Sequence, residues 1–159
     1  MRGVAGRSAV LPARRFRWGG AAAEEYCDFA GADMIGATRQ VLAARSRGAA
    51  IGFDVRYFEL GPAARTRLET HHHAHVVVVL RGTGRVRLGR RWTELRQFDA
   101  CYVAPGTVHQ LHNHGRRRFG FLCIVDAARD RGVPVSRART TRRYLEGGAP
   151  SPPGGRGRR

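Results

Sequence analysis

The chain holds seven histidines in two groups, His71, His72, His73 and His75 in the first and His109, His112 and His114 in the second. Imidazole nitrogens gathered from two places in a chain suit a divalent first-row metal, above all when a carboxylate stands with them. Side chains of a β-strand alternate between its two faces. On that period Glu69, His71, His73 and His75 share one face and His72 takes the other. His109 shares its face with Leu111 and Asn113, while His112 and His114 lie opposite and read as surface residues. If the two segments are neighbours in a closed sheet, Glu69, His71, His75 and His109 converge on one interior point. Without a metal, the same residues read as polar groups of a barrel core, with His72 and His73 as solvent-facing padding.

The elements that must position these groups read as strands, because no helical apolar stripe of useful length follows Thr38. The candidates are 38–42, 51–59, 69–80, 84–88, 100–103, 108–113 and 119–125. Turns fall at Gly61-Pro62, Gly82-Thr83-Gly84, Gly89-Arg90, Pro105-Gly106 and Gly115. Arg85 to Leu88 alternate strictly, so one face of that strand is wet and the other packed. Phe119 to Val125 is apolar on both faces, which points to two packed antiparallel sheets or a closed barrel. Trp92, Phe98, Phe119 and Phe121 read as packing residues, and Val77, Val79, Val86 and Phe121 as the apolar wall of an interior site.

A chain of 159 residues fits one domain. Residues 1–37 read as an irregular N-terminal arm lying across the barrel, 38–128 as the barrel, and 129–159 as an arginine-rich segment, disordered from about 147. The formal net charge is +17, and all 29 basic residues are arginine. The first 20 residues carry +5 and residues 129–159 carry +7, which leaves +5 for everything between. Most of the excess therefore belongs to the ends. There it reads first as solvated charge, able to hold nucleic acid only weakly and non-specifically through counterion release. The absence of lysine looks more like coding bias than a phosphate-binding specification. No run approaches the ~20 apolar residues needed to cross a bilayer. Cys27, Cys101 and Cys123 form no CxxC pair and are odd in number, which indicates a reduced, cytoplasmic setting, with Cys101 and Cys123 as core thiols among apolar neighbours.

Two spaced motifs carry a resemblance to the cupin superfamily of double-stranded β-helix, or jelly-roll, barrels. The first cupin motif runs Gly-x5-His-x-His-x3,4-Glu-x6-Gly. Counted back from Gly82, its Glu position falls on His75, its second His on His71, its first His on Glu69, and its opening Gly on Ala63. The second runs Gly-x5-Pro-x-Gly-x2-His-x3-Asn, of which Gly106, His109 and Asn113 match. Ala104 stands for the Pro and Phe98 for the Gly, followed by Asp99. The resemblance covers about Arg56 to Val125 and implies an all-β jelly-roll barrel. It further implies one divalent transition metal (Mn, Fe, Ni, Cu or Zn) held by His71, His75 and His109. Histidine at the Glu position is similar to small bacterial cupins that hold a metal with four imidazoles. Glu69 is then the fourth ligand, a group that orients His71, or the general base, and His73 is its substitute as ligand. The activity implied is that of a dioxygenase-like oxidoreductase on a small molecule. A metal-dependent isomerase, epimerase or hydrolase of a sugar or keto acid is the alternative, and a non-catalytic ligand sensor or an arginine-tailed nucleic-acid-associated protein stands beyond both. Pairing as a homodimer is a further implication of the resemblance. A DNA reader would need a helix-turn-helix, and none is visible in the ends.

Overall fold

The computed structural model describes residues 8–26, 36–129 and 132–135. The chain begins with three short strands, β1 (Ala13–Arg14), β2 (Arg17–Trp18) and β3 (Glu24–Glu25), followed by β4 (Ala37–Ala43) and a single 3-10 turn at Arg45–Arg47. The barrel strands are β5 (Phe53–Leu60), β6 (Glu69–Thr70), β7 (His75–Arg81), β8 (Gly84–Leu88), β9 (Arg91–Leu95), β10 (Ala100–Val103), β11 (His109–His112) and β12 (Phe119–Asp126). Last comes β13 (Val133–Pro134).

Two antiparallel sheets face each other, one in the order β10-β7-β12-β5-β4-β3 and the other β13-β6-β11-β8-β9. This is the all-β jelly-roll barrel that the sequence motifs imply. Inward side chains of both sheets, among them Leu60, Val77, Val79, Val86, Leu111, Phe119 and Phe121, are almost fully removed from water and form the core. No helix among the described residues is long and apolar enough to cross a membrane.

Part of the outer face of the larger sheet, over β5, is covered as well. Tyr57 points outward from β5 yet is fully buried, because Phe16 and Trp18 of the arm stack on its ring. Gln40 on β4 fastens the arm: its amide donates to the Phe16 carbonyl and its oxygen accepts from the Trp18 N–H. Beneath the arm the buried Glu59 carboxylate accepts from the Tyr57 hydroxyl and from Arg81, with Arg118 3.3 Å away.

Two expectations about the strands are corrected. The run expected as one strand over 69–80 is broken: Glu69–Thr70 belongs to the smaller sheet, residues 71–74 cross over, and His75 opens β7 in the larger one. The strand Arg91–Leu95 went unpredicted, since four of its five residues are exposed and leave no apolar alternation to read. The arginine-rich segment from 136 onward, the first seven residues and the Cys27 thiol lie outside the described residues.

The positions at which the cupin motifs have glycine keep the backbone that glycine favours. Ala63 has φ 61° and Phe98 φ 74°, both in the left-handed region where a Cβ costs about 1–2 kcal/mol. Both side chains are exposed, so little packing offsets that strain. Ala63→Gly and Phe98→Gly are each expected to raise stability by about 0.5–1 kcal/mol, read as a higher denaturant midpoint at unchanged slope. Gly106→Ala is the converse: φ is 74° and the space around it is open, so the expected loss of about 1 kcal/mol is conformational alone. A midpoint unmoved or lowered by both glycine substitutions would contradict the strain.

Candidate metal centre

Three histidines arrive at one point from three different pieces of backbone. His75 stands at the first position of β7, paired with Val103 on β10 and Val125 on β12 in the larger sheet. His109 opens β11 in the smaller sheet, opposite Leu88 on one side and Glu69 on the other. His71 comes from the crossing segment between the sheets. One potential ligand atom from each lies within 4.8 Å of the other two, and the three side chains are buried.

Hydrogen bonds fix which nitrogen carries the proton in two of the three rings. His71 Nδ1 lies 2.7 Å from the His73 carbonyl oxygen, and His109 Nδ1 lies 2.9 Å from that of Thr107. A carbonyl oxygen only accepts, so Nδ1 carries the proton in both and Nε2 keeps its lone pair. His75 Nδ1 lies 3.3 Å from Cys123 Sγ, and its Nε2 is buried with no hydrogen-bond partner. Burial is the main force holding the His75 and His109 rings neutral, reinforced by the neighbouring imidazoles. It lowers His75 to about 3 and His109 to about 4. Three inward imidazoles, two with Nδ1 tied to a carbonyl and the third with an orphaned buried Nε2, form a donor set that fits a divalent transition metal.

The other predicted site residues stand beside this trio rather than within it. Glu69 is half-buried, with Oε1 3.9 Å from His109 Nε2. Burial raises its carboxyl above the usual range. His73 stacks face to face on His71, ring centres 3.6 Å apart, and so backs that ring. His112 and His114 point away, toward Arg85 and Glu94. Cys101 is buried, and its thiol is pushed up by that burial.

The trio opens into a cavity of about 930 Å³. Of the four residues read as its apolar wall, Val77 and Phe121 line it, whereas Val79 and Val86 belong to the core beyond. Sequence reasoning missed the polar half of the lining. Arg39, Arg56, Arg67 and Arg129 all face the cavity, and Cys123 Sγ accepts from the Arg56 guanidinium at 3.2 Å. Strand alternation through Arg56, Phe58 and Leu60 was the available signal, since it puts Arg56 on the inward face.

Two antiparallel sheets closed around inward histidines, with motif glycine, histidine and asparagine in place, define a barrel of the cupin kind. Residues 56–125 match the cupin domain family, and the chain belongs to that family. Among characterised proteins it is similar to 1-methylthio-D-xylulose 5-phosphate methylsulfurylase of Rhodospirillum rubrum, 34% identical over 117 residues that span 74% of this chain and 73% of the relative. A cupin-2 domain structure from the same organism matches with a TM-score of 0.73 at 30% identity, covering 88% of this chain and 92% of the other. A cupin 2 domain-containing protein from Halorhodospira halophila matches at 40% identity with a TM-score of 0.64, covering 85% and 90%.

Proposed function

We infer that this cupin is an enzyme that holds one divalent transition metal through Nε2 of His71, His75 and His109 and acts on a small phosphorylated carbonyl compound. The observation that carries the metal is the buried, partnerless Nε2 of His75 aimed at two other free imidazole nitrogens. The substrate class is supported by the four arginines of the cavity wall and by the relative named for a methylthio-ketose phosphate. A bound ion at this place supplies a Lewis acid that polarises a carbonyl oxygen.

The chain's own groups do the rest. The arginines draw an anion into the cavity and orient it. Val77, Phe58 and Phe121 exclude water from the inner wall. Glu69, whose carboxylate borders the trio, is placed to take a proton from a substrate carbon or hydroxyl and to return it at a neighbouring atom. Oxygenation is the second reading: three protein ligands leave positions for dioxygen beside substrate.

One assay separates the two. Metal-loaded protein given 1-methylthio-D-xylulose 5-phosphate is expected to consume it while an oxygen electrode stays flat, and to lose that activity on chelation. Oxygen uptake tied to substrate loss would establish the oxygenase reading instead. No loss of this or of related ketose phosphates would remove the proposed substrate class.

A further inference from the structure

Within the cavity wall the four arginines are not equivalent. Arg39 is paired with Glu24 at 3.0 Å, and Arg129 is paired with the buried Asp54. Arg56 has no carboxylate at ion-pair distance among the described residues. Its Nη2 donates to Cys123 Sγ, its guanidinium carbon sits 5.3 Å above the Phe58 ring, and its Nε is buried with no hydrogen-bond partner. Thiol sulfur is a weak acceptor, and an aromatic face answers only part of a cation's demand. A half-buried guanidinium in that state is a donor set waiting for an acceptor. A single sulfur atom separates it from the ring of His75, because Cys123 Sγ touches both.

We propose that Arg56 is the specificity-determining residue of an anion subsite that binds the phosphate group of the substrate beside the histidine trio. The planar guanidinium offers N–H donors on its two Nη groups, a fork that can take two oxygens of one phosphate. Arg39, which shares Glu24 with Arg47, and Arg129, held by Asp54, are already engaged with a carboxylate and shape the field around Arg56. Anchoring there fixes one end of the substrate while its carbonyl end faces His71, His75 and His109. This rests on the functional reading above only for the choice of phosphate; the subsite itself follows from the state of Arg56.

The test titrates metal-loaded and chelated full-length protein with inorganic phosphate, acetate and unphosphorylated D-xylulose, for the wild type, Arg56→Met, Arg56→Lys and the exposed-strand control Arg91→Met. Arg56→Met is expected to weaken phosphate binding about 10- to 100-fold, and Arg56→Lys to recover only part of it, since a lysine cannot reproduce the fork. Arg91→Met is expected to match the wild type, D-xylulose to bind equally to all four, and metal content to stay unchanged throughout. Equal phosphate affinity in wild type and Arg56→Met overturns the subsite, as does a wild type that takes acetate in preference to phosphate. Should Arg56→Met fail to fold, Arg56→Lys decides alone: an affinity equal to that of the wild type refutes the fork. Arg56-dependent phosphate binding without turnover of any sugar phosphate would sink the enzymatic reading and leave the subsite standing.

Discussion

His109→Ala is expected to strip the protein of its metal, lowering affinity at least about 100-fold and activity by about three orders of magnitude. Three side chains converge, so losing one leaves a two-imidazole site, a larger loss than the 10–100-fold that follows when only a supporting partner of a ligand is removed. The fold should survive, because the register of β11 with β8 is held by backbone bonds, and His109 borders an open cavity rather than closed core. His75→Ala is expected to behave alike. His112→Ala is the control, since its ring lies on the outer face against Arg85 and Trp92. The measurement is elemental analysis of protein purified without a histidine tag, followed by titration of chelated protein with Mn, Fe, Ni, Cu and Zn salts. Metal content unchanged in both His75→Ala and His109→Ala would remove the trio as ligands. An equal loss in His112→Ala would show that the ion sits elsewhere.

Much of this centre was legible because strand alternation and spacing are local properties. His71, His75 and His109 needed only a period of two and two motif counts to be placed together. What the period could not supply was the break at 71–74. Four residues that continue an alternating pattern look like more strand, whereas the chain leaves one sheet there and enters the other. The three histidines therefore meet for a reason different from the one the pattern suggests: His71 and His75 share no strand, and His73 stacks on His71 instead of taking the next inward place. Strand β9 was invisible for the opposite reason. Arg91 to Glu94 are held by pairing with β8 and not by burial, so no hydrophobic signal marks them. Arg56 was hidden in plain composition, since one arginine among 29 says nothing until the strand around it is known to point inward and no carboxylate among the described residues is found at ion-pair distance from it. Ala63 and Phe98 read as departures from the motifs, yet the backbone kept the left-handed turns and the side chains changed around them.

Asn113 shows most plainly that a motif residue can belong to the scaffold rather than the chemistry, and Asn113→Ala is expected to cost about 3 kcal/mol, lowering the melting temperature by roughly 10 °C. The side chain is completely buried. Its amide nitrogen donates toward the carbonyls of Leu60, Gly61 and Arg117, at 2.9, 2.9 and 2.8 Å, and its oxygen accepts from the Gly115 N–H. It therefore ties the end of β5 to the loop that leads into β12. Alanine leaves those carbonyls and one N–H in a buried place without partners, and a carbonyl so stranded costs about 1–3 kcal/mol unless water reaches it. Asn113→Asp separates hydrogen bonding from volume. The carboxylate keeps the size but turns the donor into a negative acceptor facing three carbonyl oxygens. At neutral pH it is expected to destabilise at least as much as alanine, recovering as the pH falls and the added carboxyl is protonated. Denaturant midpoints for both variants across pH decide the matter, with metal content as a second reading. If Asn113→Ala keeps wild-type stability but loses the metal, the residue serves the site directly. If both stability and metal fall together only where the fold is lost, its role is to hold the loop that keeps His109 in register.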